Sequence, residues 1–171
     1  MPQHLLHHKT QRNNAWLGWC RMKKLFYLFL FLLLASCSGN TVYDHYNHTS
    51  VLGWDRGEVL IYDVPCVKQE AKYATSLGLR VSGAYPFQSL TLIVEQTVIP
   101  GRKTTRDTLN CQIYDSKGTV KGEGISYFQY HFLVSEKDLK QGDSLHVTVR
   151  HDMRREIIPG VSDIGIQVVR N

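Results

Sequence analysis

Acidic residues are missing from the first 36 positions, which carry Lys9, Arg12, Arg21, Lys23 and Lys24 but no Asp or Glu. The formal charge of +5 is confined to that segment, because positions 37–171 hold fifteen Lys and Arg against fifteen Asp and Glu. A nucleic-acid binder needs a basic excess to neutralise phosphates, so the balanced remainder is not expected to bind nucleic acid. No apolar run approaches the roughly 20 residues a membrane-crossing helix requires. GxSxG, HExxH, P-loop and GxGxxG motifs are also missing, which removes the main locally encoded enzyme signatures. There is no internal repeat to suggest a propeller or solenoid. What is present is 43% hydrophobic and 20% charged over 171 residues, the make-up of one globular domain with an appendage.

The longest apolar run, Leu25 to Ala35, follows Arg21, Lys23 and Lys24 and ends at Ala35-Ser36-Cys37. That order of charged, apolar and small residues is a secretory signal peptide. Leu34-Ala35-Ser36-Cys37 resembles a bacterial lipobox, in which the thiol of Cys37 takes a diacylglyceryl group and cleavage leaves it as the first mature residue. Met22, directly before Lys23 and Lys24, reads as an ordinary bacterial start, and residues 1–21 as an over-extended N-terminus. His4, His7, His8 and Cys20 then form no metal site in the mature protein. The expected division is extension 1–21, signal peptide 22–36, lipidated tether 37–56 and β-domain 57–171.

Ser38 to Thr49 is short and polar and reads as a tether lifting the domain off the membrane. Beyond Trp54 the pattern becomes period two. Glu58–Val64, Tyr73–Val81, Leu90–Thr97, Thr108–Tyr114, Ile125–Val134, Leu145–Val149 and Ile164–Val168 alternate as strands between Pro, Gly and Asp turn signals. Ser135-Glu136-Lys137-Asp138 has capping-box spacing and predicts one helical turn. The fold expected is all-β: a single antiparallel β-sandwich, jelly-roll-like, of about seven to eight strands.

Of the two cysteines left after Cys37 is lipidated, Cys66 and Cys111 lie in separate strand-like segments outside any CxxC motif. An oxidising periplasm permits a disulfide between them, and two free thiols fit equally well. They are too few for a structural zinc site without added His ligands, and no metal or cofactor is expected. His131, His146 and His151 fall on or beside strands, where a triad or metal site would have to be assembled in space. A satisfied or solvent-facing imidazole is the commoner case. Tyr127, Phe128, Tyr130 and Phe132 stack on sugar rings if they face solvent and otherwise form core. No catalytic residue is assigned.

Taken in order, Cys37, Val42-Tyr43-Asp44, Trp54, Tyr85-Pro86-Phe87, Asp107-Thr108-Leu109, His151-x-Met153-Arg154 and Gly160-Val161-x-Asp163-Ile164-Gly165 resemble the gliding-motility lipoprotein family GldH of Bacteroidetes. The resemblance runs over nearly all of the mature chain, and the two C-terminal motifs are its most specific part. It implies an envelope lipoprotein associated with gliding and type IX secretion, with no established catalytic residues to carry over. The function expected is non-enzymatic and accessory, exerted through contacts with other envelope lipoproteins or secretion and gliding proteins. The alternative is a membrane-anchored module binding glycan or peptidoglycan. The bilayer itself is a partner, through the diacylglyceryl and acyl chains, such as palmitate, on Cys37. Ser38-Gly39-Asn40-Thr41 has no acidic residue, which points to the periplasmic face of the outer membrane. Finally, Leu145–Met153 and Ile164–Val169 are expected to pair as a hairpin. Arg154 and Asp163 then meet at its base and Gly160 and Gly165 serve turn or bulge geometry; the structural reading, an ion pair that fixes the loop, is preferred over the functional one, in which His151 and Met153 edge a partner surface tipped by Arg155 and Glu156.

Overall fold

The computed structural model describes residues 39–171. The expected extension, signal peptide, Leu34, Ala35, Ser36 and Cys37, and the His4, His7, His8 and Cys20 group lie outside the described residues. Asn40–Asn171 form one folded unit, built of β1 (Thr41–His48), β2 (Trp54–Asp55), β3 (Leu60–Val64), β4 (Ala71–Ser82), β5 (Ser89–Ile99), β6 (Lys103–Gln112), β7 (Glu123–Gly124), β8 (Tyr127–Leu139), β9 (Ser144–His151), β10 (Ile157–Ile158) and β11 (Val161–Arg170). Eight of these strands have five or more residues and three have two, so the expected strand count describes the main ladder. One sheet runs β1-β11-β4-β8-β7, the other β3-β9-β5-β6, and β10-β2 is a short ribbon. Every pairing is antiparallel.

Alternation places the core between the two sheets. Leu77, Leu79 and Val81 of β4 stand beside Ile164 and Ile166 of β11, all fully buried. Opposite them, Leu92 and Val94 of β5, Val147 and Val149 of β9 and Tyr62 of β3 close the sandwich. Each large aliphatic side chain removed from water in this way contributes roughly 1.5–3 kcal/mol. One row is polar: fully buried Gln96 bridges the sheets, its Nε2 donating to Ser135 Oγ at 2.8 Å. Nearby, Lys137 Nζ donates to Thr105 Oγ1 at 2.6 Å.

Three expectations are corrected, and one open alternative, that of the two cysteines, is decided. The segment read as tether holds β1, which pairs with β11 from Thr41↔Val169 to His48↔Asp163, and β2 of the ribbon. It reads as hydrophilic because an edge strand is covered on one flank only and keeps polar side chains outward. Ser135 to Asp138 form no helical turn, since β8 runs on through them against β4. A register shift at Thr75/Ser76 lets Ser135, Lys137 and Leu139 face inward there, and this breaks the alternation. β9 and β11 are not neighbours: β9 lies between β3 and β5, and β11 between β1 and β4 in the other sheet. Cys66 and Cys111 are both free thiols. Cys66 follows the β3 edge and Cys111 sits in β6 at the opposite edge of the same sheet. Three strand spacings, roughly 14 Å, exceed what a disulfide spans.

Candidate functional site

His151, Met153 and Gly160 of the C-terminal motifs lie at the end of the sandwich where β1 and β9 finish. His151 closes β9 and is fully buried. Its Nε2 lies 3.2 Å from the Trp54 carbonyl, so that nitrogen donates. Nδ1 is then free to accept from the Met153 N–H at 3.4 Å. This neutral tautomer suits the site, because burial holds the imidazole below its usual pKa and the Arg56 guanidinium acts in the same direction. The ring meets Trp54 edge-on at 5.3 Å, and Trp54 Nε1 donates to the Glu58 carbonyl at 3.2 Å. Arg56 donates from its side chain to the Met153 carbonyl and from its N–H to the Glu156 carbonyl at 2.8 Å. The His-x-Met motif thus ties the end of β9 to the β2 segment.

Gly160 locks a second connection. Its φ of +83° lies in the left-handed region, and its carbonyl accepts from the Ser82 N–H at 2.7 Å. A Cβ there would stand 2.8 Å from Tyr85 Cα. Buried Tyr85 is held in turn by its hydroxyl donating to the Ser89 carbonyl at 3.0 Å and by the Tyr114 hydroxyl donating to its own carbonyl at 3.1 Å. The Tyr85-Pro86-Phe87 and Gly160 motifs therefore pack on one another.

Arg154 and Asp163 do not meet. Asp163, on β11, faces His48 of β1, with Nδ1 against Oδ1 but without hydrogen-bond geometry. Arg154, Arg155 and Glu156 are exposed in the connection after β9. Gly165 makes neither turn nor bulge. It lies level with Tyr46, Gly78 and His131 across four strands, and the Tyr46 ring rests on the two glycines, where a Cβ on Gly165 would come within 2.6 Å. Arg80 covers that ring at 4.7 Å, and its Nε donates to Gln129 Oε1 at 3.1 Å. Sequence reasoning missed Tyr46, Arg80, Gln129 and His48. Mid-strand Gly78 and Gly165 were the available signal, since such glycines mark a close approach.

Around this framework the end surface carries exposed apolar side chains among its charges. Val51, Leu52 and Ile125 are at least nine-tenths exposed and Tyr127 more than half. A depression of about 440 Å³ lies between Val51 and Tyr127, lined also by His48, Ser82 and Gly160. Of the four candidate sugar-stacking aromatics only Tyr127 faces solvent in this way. Tyr130 is buried with its hydroxyl on the Ile113 carbonyl at 3.0 Å, and Phe128 and Phe132 pack against the core. A second groove, about 810 Å³, runs between β6 and β7–β8 past Gln112, Lys121, Glu123 and Phe132. The three candidate histidines are apart: His131 meets Gln129 at 2.9 Å, His146 meets Asp63 at 2.7 Å, and His151 is enclosed as described. Among the described residues no group of three or more His, Cys, Asp or Glu is placed to hold a metal.

A family model described as GldH lipoprotein matches residues 41–168, from the first residue of β1 into β11. Gliding motility lipoprotein GldH of Flavobacterium johnsoniae is 28% identical over 144 residues, covering 80% of this chain and 89% of that protein. The gliding motility lipoprotein GldH homolog of Christiangramia forsetii is 23% identical over 154 residues, covering 85% and 93%. Among solved structures, a 4-O-methyl-α-glucuronidase specific for decorated arabinogalactans has a TM-score of 0.47 and 12% identity over 80% of this chain and 18% of that chain.

Proposed function

Because the chain belongs to the GldH lipoprotein family, we propose that its β-sandwich serves as an accessory part of gliding or type IX secretion machinery, working through protein contacts and not through catalysis. Cys37 carries the lipid in this reading, and the domain stands on the periplasmic face of the outer membrane. A single acyl chain binds a bilayer only marginally, so the multiple chains of a mature bacterial lipoprotein supply the anchoring.

The observation that carries the reading is the end surface. His151, Met153, Tyr85 and Gly160 are spent on internal bonds that fix the segments after β9 and β4 to the Trp54 segment and to each other, while at the same end Val51 and Leu52 of the turn before β2, Ile125 before β8 and Tyr127 at its start stand exposed. Exposed apolar side chains beside a fixed framework are the make-up of a protein contact surface. A crosslinking pull-down from native membranes tests it. Recovery of gliding or secretion components, lost in a Val51→Ser, Leu52→Ser variant with an unchanged melting temperature, supports the reading. Saturable binding of muropeptides or oligosaccharides, with no protein recovered, overturns it in favour of a glycan-binding module.

A further inference from the structure

The opposite end of the sandwich is where β1 begins, and its loops are bonded into one rim. The Arg170 N–H donates to the Asn40 carbonyl at 2.9 Å, the Asn171 N–H to the Lys72 carbonyl at 3.0 Å, and the Val67 N–H to the Asp143 carbonyl at 2.8 Å. Ile99, at the start of the β5–β6 turn, pairs with Ser144 at the same level. Residues 65–72, 99–103, 136–144 and 169–171 make up this rim, and without the inward-facing Lys137 they contain six Lys and Arg against four side-chain carboxylates.

Lys68, Lys72, Arg102, Lys103 and Lys140 are exposed on it. Among the described residues only Lys72 of these has a carboxylate within ion-pair distance, Glu136 at 3.8 Å. Arg170 is bonded through its guanidinium to the neutral side chains of Gln69 and Asn40, so its charge is not cancelled. The other end has the reverse balance. Residues 48–58, 83–88, 113–126 and 152–163 contain five Lys and Arg against seven Asp and Glu. A unit that is neutral overall is therefore polarised along its strands.

Cys37 precedes Thr41 by four residues, and four residues of fully extended chain reach at most roughly 14 Å. A lipid on Cys37 therefore holds the start of β1 close to the headgroups. We propose that this basic rim is the face on which the folded unit rests on anionic phospholipid headgroups, with the His48–Asp163 end held away from the bilayer. The eight residues of β1 span roughly 26 Å, about two to three Debye lengths at 0.1 M salt. The acidic end thus escapes the repulsion that the reversed orientation would impose, while Lys and Arg at the rim lie within reach of the surface field. The exposed Val51, Leu52 and Ile125 are thereby turned toward the periplasm.

The inference rests on anchoring through Cys37, and flotation of the purified lipidated protein with vesicles tests that separately. For the orientation, a fluorophore is placed on Cys66, an exposed thiol at the rim, or at the other end in a Cys66→Ser, Val51→Cys variant. Quenching is read in phosphatidylcholine–phosphatidylglycerol vesicles containing lipid with a nitroxide on its headgroup. The label at Cys66 is quenched and the label at position 51 is not. Replacing Arg102, Lys103 and Lys140 by Gln, raising the salt, or omitting phosphatidylglycerol removes most of the quenching at Cys66 while flotation persists. Equal quenching at both ends, stronger quenching at position 51, or quenching at Cys66 indifferent to all three changes overturns the orientation. A lipidated protein that does not float overturns the anchoring beneath it.

Discussion

Replacing Gly160 by Ala imposes two separable penalties. The first is conformational: φ at Gly160 is +83°, and an L-residue in the left-handed region costs roughly 1–2 kcal/mol. The second is steric. The new Cβ would lie 2.8 Å from Tyr85 Cα and 2.9 Å from Tyr85 N, main-chain atoms that cannot swing aside as a side-chain tip does. Tyr85 N is fixed by its bond to the Ser82 carbonyl at 3.0 Å, so relief requires moving the turn, at roughly 1–3 kcal/mol for overpacking of this kind. Gly142 supplies the control, with φ of +91° and nothing within 4 Å of its would-be Cβ. Gly142→Ala should therefore cost roughly 1–2 kcal/mol and Gly160→Ala roughly 2–5 kcal/mol. Urea unfolding with a common m-value measures both. Tyr85→Phe should not relieve the Gly160→Ala defect, because the clash is with backbone. If Gly160→Ala is no more destabilising than Gly142→Ala, the packing of the Gly160 turn on the Tyr85 turn is refuted.

Three further outcomes follow from the same geometry. Burial pushes the Cys111 thiol up to about 12, so a maleimide at neutral pH should label Cys66 but not Cys111 in the native folded unit, and both after denaturation. Reductant should leave both counts unchanged, and a reductant-dependent count contradicts two free thiols. The folded pKa of His151 lies below its unfolded value of roughly 6.5, so on acidification the unfolded chain takes the proton first. Stability from this group is fully present above that value and falls with pH below it. His151→Asn should remove that part of the pH dependence in melts compared from pH 7 to 5, and a parallel pair of curves would count against it. Trp54→Ala removes a fully buried indole and should cost roughly 3–5 kcal/mol in the same unfolding assay.

The legible part of the fold was its inner ladder. Strands with both neighbours in place, such as β4 and β5, keep inward runs of Leu and Val (Leu77, Leu79 and Val81; Leu90, Leu92 and Val94), and their periodicity is plain in the chain. β1 was misread because an edge strand needs only a partial apolar face. Its anchor, Tyr46, lies on Gly78 and Gly165, a fit between residues far apart in sequence. The continuation of β8 was hidden by a register shift opposite Thr75, which inverts the side-chain facing where capping-box spacing happens to occur. The partnership of β9 depended on sheet membership: alternation gives the faces of a strand but not its neighbour, and this separated Arg154 from Asp163. Of the C-terminal motif residues singled out in the chain, Gly160 does serve a turn. That His151 bonds inward to Trp54 and that Val51 and Leu52 stand exposed are consequences of how loops pack, which local pattern does not encode.

The central claim is that the end of the sandwich remote from the start of β1 is a protein contact surface. Site-specific photo-crosslinking in native membranes tests it most directly, with the reactive side chain at Leu52 in the exposed loop or at Thr108 on the outer face of the four-stranded sheet. Discrete protein adducts from position 52 and none from position 108 are predicted. Adducts from position 108 alone, or only glycan adducts from position 52, would contradict the claim.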